Sequence, residues 1–177
     1  GLKMIYFTNG TYNLCLQKQE FVNPDRVFKT SRKHLWVNDK LSENKNILID
    51  LLQKIYCDGE DISYLIVGTD YMEEIAFLIS LTAPVGKAVV LSGAMRPFGS
   101  IDFDGVSNIR DALALGSDFL KGKSGSYVCM SGSLFDGSKV RKTHSSDLNA
   151  FEGGRLAKFD GTGWKKIHDI SSNSRFY

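Results

Sequence analysis

The chain has 177 residues, 42% hydrophobic and 24% charged, which excludes a disordered tail, a collagen-like fibre and a coiled-coil rod and leaves room for a substantial core in one domain. Lysine and arginine number 22 against 20 acidic residues, a net charge of +2, so nothing electrostatic points to nucleic acid or an anionic membrane as the main partner. The apolar stretches fall far short of the roughly 20 residues that span a bilayer, and no signal-peptide pattern opens the chain.

Short apolar runs alternate with amphipathic segments, without internal repeats or low-complexity blocks, as in α/β architecture. Lys3 to Phe7 is the first expected strand, running into the turn Thr8-Asn9-Gly10-Thr11. Residues 12–33 hold no sustained period and read as a long loop, and Leu35 to Val37 as a short strand. From Ser42, an N-cap residue, the stripe Ile47, Leu48, Leu51, Leu52 and Ile55 predicts a helix. Ile62 to Val67 is a buried strand ending at Gly68-Thr69-Asp70, where Asp70-x-x-Glu73 reads as a capping box for a helix to about Leu81. Lys87 to Ser92 is a second buried strand, ending in Gly93-Ala94-Met95-Arg96-Pro97. Asp104 is expected to cap a third helix to about Phe119, followed by a strand from Ser126 to Ser131. From Gly153 onward the pattern predicts a hairpin, and Ser171 to Ser174 reads as a linker. The expected fold is α/β, a Rossmann-like or flavodoxin-like, mostly parallel sheet flanked by helices, with a C-terminal β-hairpin region.

Chemistry is expected where strands end in small and polar residues: Gly10-Thr11, Gly68-Thr69-Asp70 and Gly93-Ala94. In open parallel sheets ligands bind beyond the carboxyl ends of the strands, and glycine lets backbone approach them closely. Taken alone, the same turns are also ordinary strand–turn–helix junctions. The remaining signals are weaker. Gly116 to Ser124 only superficially matches a phosphate loop, because five residues separate its glycines and it follows a helix. His34, His144 and His168 lack metal-ligand spacing, so no metal is expected. Cys15, Cys57 and Cys129, an odd number at wide spacings, fit reduced thiols better than a disulfide framework. Lys139, Arg141 and Lys142 read as a solvated basic edge, and Arg96 as a loop anchor through backbone carbonyls.

Read together, T-N-G-T at 8–11, V-G-T-D-Y-M-E-E at 67–74, L-S-G-A-M-R-P at 91–97, D-G-V-S-N at 104–108 and D-G-S-K-V-R-K-T-H-S-S-D at 136–147 resemble the bacterial-type L-asparaginase family, in order and in approximate spacing. The resemblance implies an amidohydrolase that converts L-asparagine, in some members also L-glutamine, to the acid and ammonia through a threonine nucleophile and without a metal or organic cofactor. It implies Thr11 as that nucleophile, in a mobile first loop, and Thr69, Asp70 and Lys142 as a triad at the floor of the site. Gly10, Gly68 and Ala94 match positions whose backbones line the substrate pocket, and Lys40 stands where the family has a serine that meets the substrate carboxylate. It further implies that residues 1–170 are the N-terminal catalytic domain and 171–177 a linker to a C-terminal domain, that the full-length protein is a homo-oligomer, and that no nucleic acid or membrane takes part. The expected location is the cytoplasm, with a periplasmic protein the alternative.

The chemistry is consistent with these roles. A threonine hydroxyl needs a base or a water relay to become a nucleophile. A lysine serves as such a base when burial lowers its pKa, while a neighbouring carboxylate acts the other way. An ionised aspartate can hold the α-ammonium of an amino-acid substrate. Against the family pattern, Asn9 replaces the first glycine of G-G-T, Val67 the usual histidine before G-T-D, and Tyr12 and Phe21 are only near the expected supporting tyrosine. The alternative function is an amino-acid-binding or regulatory module of the same family without turnover. A third is one half of an ammonia-supplying amidotransferase subunit, for which no basic face speaks.

Overall fold

A computed structural model describes residues 4–8, 14–15, 45–97, 99–115 and 117–175. The largely apolar runs at Ile62–Val67 (β3) and Ala88–Ser92 (β4) become strands covered on both faces, as such runs require. They pair in parallel with each other and with Met4–Thr8 (β1) and Gly125–Met130 (β5) in the order β1-β3-β4-β5. Thr8 sits opposite Val67, and Ile66 opposite Ser92, so these strands end at one edge. Leu14–Cys15 (β2), inside the stretch expected to be loop, pairs antiparallel with β1 and closes that side.

On the other side the sheet continues antiparallel through Ser133–Asp136 (β6), Arg155–Phe159 (β9) and Trp164–Lys166 (β10), the last two forming the expected hairpin. A two-residue turn joins β5 to β6, with positive φ at Ser131 (50°) and Gly132 (70°), the backbone that a tight hairpin of right-handed twist demands. Arg141–Lys142 (β7) and Phe151–Glu152 (β8) form a separate small ribbon.

Alternate strand residues feed two cores. Leu65, Val67, Val89, Leu91, Val128 and Met130 face the helices Lys45–Tyr56 (α1) and Met72–Thr82 (α2). Tyr64, Ile66, Ala88, Val90, Tyr127 and Cys129 face Gly105–Leu113 (α3), the short helix Ser117–Leu120 (α4) and Trp164 of the hairpin. The strand order advances in one direction, yet α2 and α3 lie on opposite faces, so the β3–α2–β4 and β4–α3–β5 crossovers have opposite hands. Parallel crossovers are right-handed in about 98% of cases, which makes one of these two an exception.

Two helix starts differ from expectation. α2 begins at Met72 with Tyr71 at the N-cap and no side-chain cap, because Asp70 is turned toward another partner. Asp104 does occupy the N-cap of α3 but caps nothing in it, and the helix ends at Leu113 instead of continuing to Phe119. The segment 171–175, expected as a linker, lies along the start of β5: Asn173 N and Ser174 N both donate to Ser124 O, and Arg175 N to Ser80 O. The strand expected at 35–37 lies outside the described residues.

Candidate active site

The carboxyl edge of the parallel strands is built on close backbone approach. A Cβ on Gly93 would sit 2.4 Å from Val67 O and 3.1 Å from Met72 Cε, so only glycine lets the turn after β4 lie against the end of β3. That turn carries Ala94, half-buried and packed against the core on the α3 face. The D-G-V-S-N segment holds it there. Both Asp104 carboxylate oxygens accept from Met95 N at 3.0 Å, and Oδ1 also from Arg96 N at 2.9 Å. One turn along α3, buried Asn108 donates to Gly93 O at 2.9 Å and accepts from Ser131 N at 2.9 Å. These supporting roles were missed in the sequence, although the i, i+4 spacing of Asp104 and Asn108 was there to read.

Lys142 crosses to this edge from the β7–β8 ribbon. Its Nζ donates to Thr69 Oγ1 at 3.0 Å and to Asp70 Oδ1 at 2.6 Å. The lysine side chain is 12% exposed while that of Asp70 is 84% exposed. The ammonium therefore meets the pair from below, and Asp70 Oδ2, without a hydrogen-bond partner among the described residues, faces the open side. A Cβ at Gly68 would meet nothing within 4 Å among the described residues, so close packing does not require glycine beside Thr69. Directly behind lies the N-terminus of α2, whose unpaired N–H groups favour negative charge. Arg96 anchors the next turn through one backbone carbonyl, Ser146 O, and one carboxylate, Asp102 at 2.9 Å, instead of several carbonyls. That guanidinium holds the Asp102 carboxyl below the usual carboxylate range.

Thr69, Asp70 and Lys142 are thus brought together, and Gly68 and Ala94 lie at the same edge. Thr11, Gly10 and Lys40 lie outside the described residues, as do Asn9, Tyr12 and Phe21. Lys139 and Arg141 are exposed, as a solvated edge should be, and His144 is exposed as well. Among the described residues no group of His, Cys, Asp and Glu could hold a metal, and no helix is long and apolar enough to cross a membrane.

A sequence profile of the family "Asparaginase, N-terminal" matches residues 43–170. The chain belongs to the asparaginase family. It is 37% identical over 111 residues to "L-asparaginase 2" of Escherichia coli strain K12, covering 62% of this chain and 32% of that protein. To the "Glutaminase-asparaginase" of Acinetobacter glutaminasificans it is 36% identical over 102 residues, covering 58% and 30%. The crystal structure of a "Probable Cytoplasmic L-asparaginase from Campylobacter jejuni" superposes with a TM-score of 0.64 at 33% identity, covering 70% of this chain and 41% of that one. The chain therefore spans about a third of the length of the curated asparaginases it matches. Within the matched region fall Thr69, Asp70, Ala94 and Lys142.

At the opposite end of the parallel strands this asparaginase domain carries a second polar cluster. Asp58 and Lys87, each 4% exposed, pair at 2.6 Å. Asp58 also accepts from Tyr6 Oη, Ser63 Oγ and Glu60 N at 2.6–2.8 Å. Lys87 donates further to Glu60 O at 2.9 Å and Ser63 Oγ at 2.7 Å. Burial works to raise the Asp58 carboxyl, but Lys87 and the other donors together hold it below its ordinary value. The cluster ties β1, β3, β4 and the end of α1 together, far from the triad.

Proposed function

We propose that this domain supplies the substrate floor and proton-handling groups of an amidohydrolase that converts L-asparagine, and by the same chemistry L-glutamine, to the acid and ammonia. The observation that carries the reading is the reach of Lys142 Nζ to both Thr69 and Asp70, residues 73 and 72 positions away in the chain. Two readings of the geometry support it. The free Oδ2 of Asp70 suits the α-ammonium of an amino acid, through a charge-assisted hydrogen bond. The Thr69 hydroxyl accepts from Lys142, which leaves its own proton to be donated or passed on.

In this scheme Thr11 attacks the side-chain amide carbon, its hydroxyl proton passes to the departing amide nitrogen, and ammonia leaves an acyl-enzyme ester. Water then attacks the ester, the Thr69 hydroxyl held by the Lys142 ammonium relays its proton to the departing Thr11 oxygen, and aspartate or glutamate leaves. The positive end of α2 and the turns at Gly68 and Ala94 provide N–H groups toward developing negative charge. The homo-oligomer and the cytoplasmic location expected from the family belong to the same proposal.

Ammonia release from asparagine and glutamine, measured beside calorimetric titration with aspartate, tests it. Thr69→Ala and Lys142→Met should each lower turnover about 10²–10⁴-fold, the usual worth of a positioned acid–base group, while the far-ultraviolet circular dichroism stays unchanged. Wild-type rates in either variant would refute the assigned roles. Aspartate binding without any turnover by the parent protein would favour the binding-module alternative.

A further inference from the structure

Lys142 stands at the end of a turn, 136–140, that has no helix or long strand to fix it, and the structure shows what does. Asp136 organises the turn: its Oδ1 accepts from Ser138 N at 2.8 Å and Ser138 Oγ at 2.6 Å, and its carbonyl from Lys139 N and Val140 N, both at 3.1 Å. Behind Asp136 sits Asn173, from the segment that follows the hairpin. Its Nδ2 donates to Asp136 Oδ1 at 2.9 Å and to Ser126 O at 2.5 Å, and its Oδ1 accepts from Ser126 N at 2.8 Å. The amide is thus fully used, bridging the start of β5 to the turn.

Glycines crowd this junction. A Cβ on Gly125, at φ +122°, would lie 1.8 Å from Asn173 Oδ1. One on Gly137 would lie 2.1 Å from Ser126 Oγ, and one on Gly153 2.7 Å from Lys139 O. At Gly125 and Gly153 the absence of a side chain lets Asn173 and the turn approach their neighbours, while Gly137 lies against Ser126 at the end of the β5–β6 ladder.

We infer that Asn173 is a positioning residue for Lys142, acting through Asp136 and the 136–140 turn, so that the segment after the hairpin sets the geometry of the Thr69–Asp70–Lys142 triad. Neither Asn173 nor Asp136 is within the triad, and the coupling is through backbone placement. The inference rests on the proposed function only for its consequence in catalysis, since the placement of Lys142 can be read without turnover.

The test uses the whole 177-residue chain. Wild type, Asn173→Asp, Asp136→Asn and the exchanged double variant are labelled with an amine-reactive acetylating reagent, and the rate at each lysine is followed by mass spectrometry. Asn173→Asp keeps the acceptor for Ser126 N but sets a second carboxylate against Asp136, and the exchange restores an amide–carboxylate pair. Labelling of Lys142 should accelerate about tenfold in Asn173→Asp and return toward the wild-type rate in the double variant, as local release predicts. Buried Lys87 should stay slow throughout, which shows that the fold is intact. Where turnover is measurable, kcat should fall about tenfold with KM little changed, the mark of a misplaced acting group. An unchanged Lys142 rate in Asn173→Asp would overturn the inference, as would acceleration of Lys142 only in step with Lys87. A parent chain that labels as expected but hydrolyses nothing would refute the functional reading and leave the positioning role standing.

Discussion

At Gly93 a single methyl group decides the shape of the site, because the nearest atom it would meet is the Val67 carbonyl, which is part of a strand and cannot swing away. Gly93→Ala should therefore cost about 1–3 kcal/mol of stability, the usual penalty of overpacking, read as a lower urea midpoint with an unchanged slope. Asn108 is the complementary case. Its replacement by alanine leaves the buried Gly93 O without a partner, which costs about 1–3 kcal/mol, while Ser131 N, on an exposed residue, can turn to water. The Asp58–Lys87 pair separates charge from packing. Lys87→Met should destabilise by about 3–5 kcal/mol, because it strands a carboxylate that is 4% exposed. Adding Asp58→Leu should recover much of that loss in chemical denaturation, and a double variant as unstable as the single would refute the account.

Among the elements, the hairpin and the α3 crossover carry the most information. β9 and β10 place Lys158 directly opposite Lys165, a like-charge pair with no salt bridge to either lysine among the described residues. Lys165→Glu should turn mutual repulsion into attraction worth about 0.2–1 kcal/mol, with a rise in thermal midpoint of about 1–3 °C that shrinks in high salt. The hairpin is itself tied down by Trp164, whose Nε1 donates to Asp111 O at 2.8 Å and whose ring meets Phe159 edge-on at 5.5 Å. At its tip the Thr162 hydroxyl and the Thr162 and Gly163 N–H groups hold the Asp160 carboxyl down to about 2. The position of α3 has a direct consequence for the site. Lying on the opposite face from α2, it can present Asp104 and Asn108 to the underside of the turn that carries Ala94.

For the molecule as a whole, the cluster at the amino ends of the strands is a buried acid-sensitive element. The folded Asp58 carboxyl titrates below its unfolded value, so on descending pH the unfolded chain takes up the proton first. The stability it contributes is complete above about pH 4 and is lost as pH falls through the folded value. Thermal midpoints measured from neutral to acid pH should show that decline, and in Lys87→Met it should turn into a gain, since burial then raises the folded carboxyl above its unfolded value and protonation relieves the stranded charge. Much of the architecture was legible without coordinates. Ile62–Val67 and Ala88–Ser92 carry their strand character in largely apolar runs, because strands buried on both faces admit little polar alternation. The triad was legible only by resemblance, since nothing local in R-K-T distinguishes Lys142 from its exposed neighbour Arg141. Capping signals at Asp70 and Asp104 foretold that helices α2 and α3 follow but carried no information on which face of the sheet each would cover. The chain's own residues thus determined the buried parallel strands and the helices between them, though not β2 or the helix ends. Only the assembled sheet decided that Asp70 pairs with Lys142 instead of capping α2, that Asp104 serves the turn after β4, and that Asn173 reaches Asp136. Such side chains choose among partners that are distant in sequence, and the choice exists only after packing has brought those partners within about 3 Å.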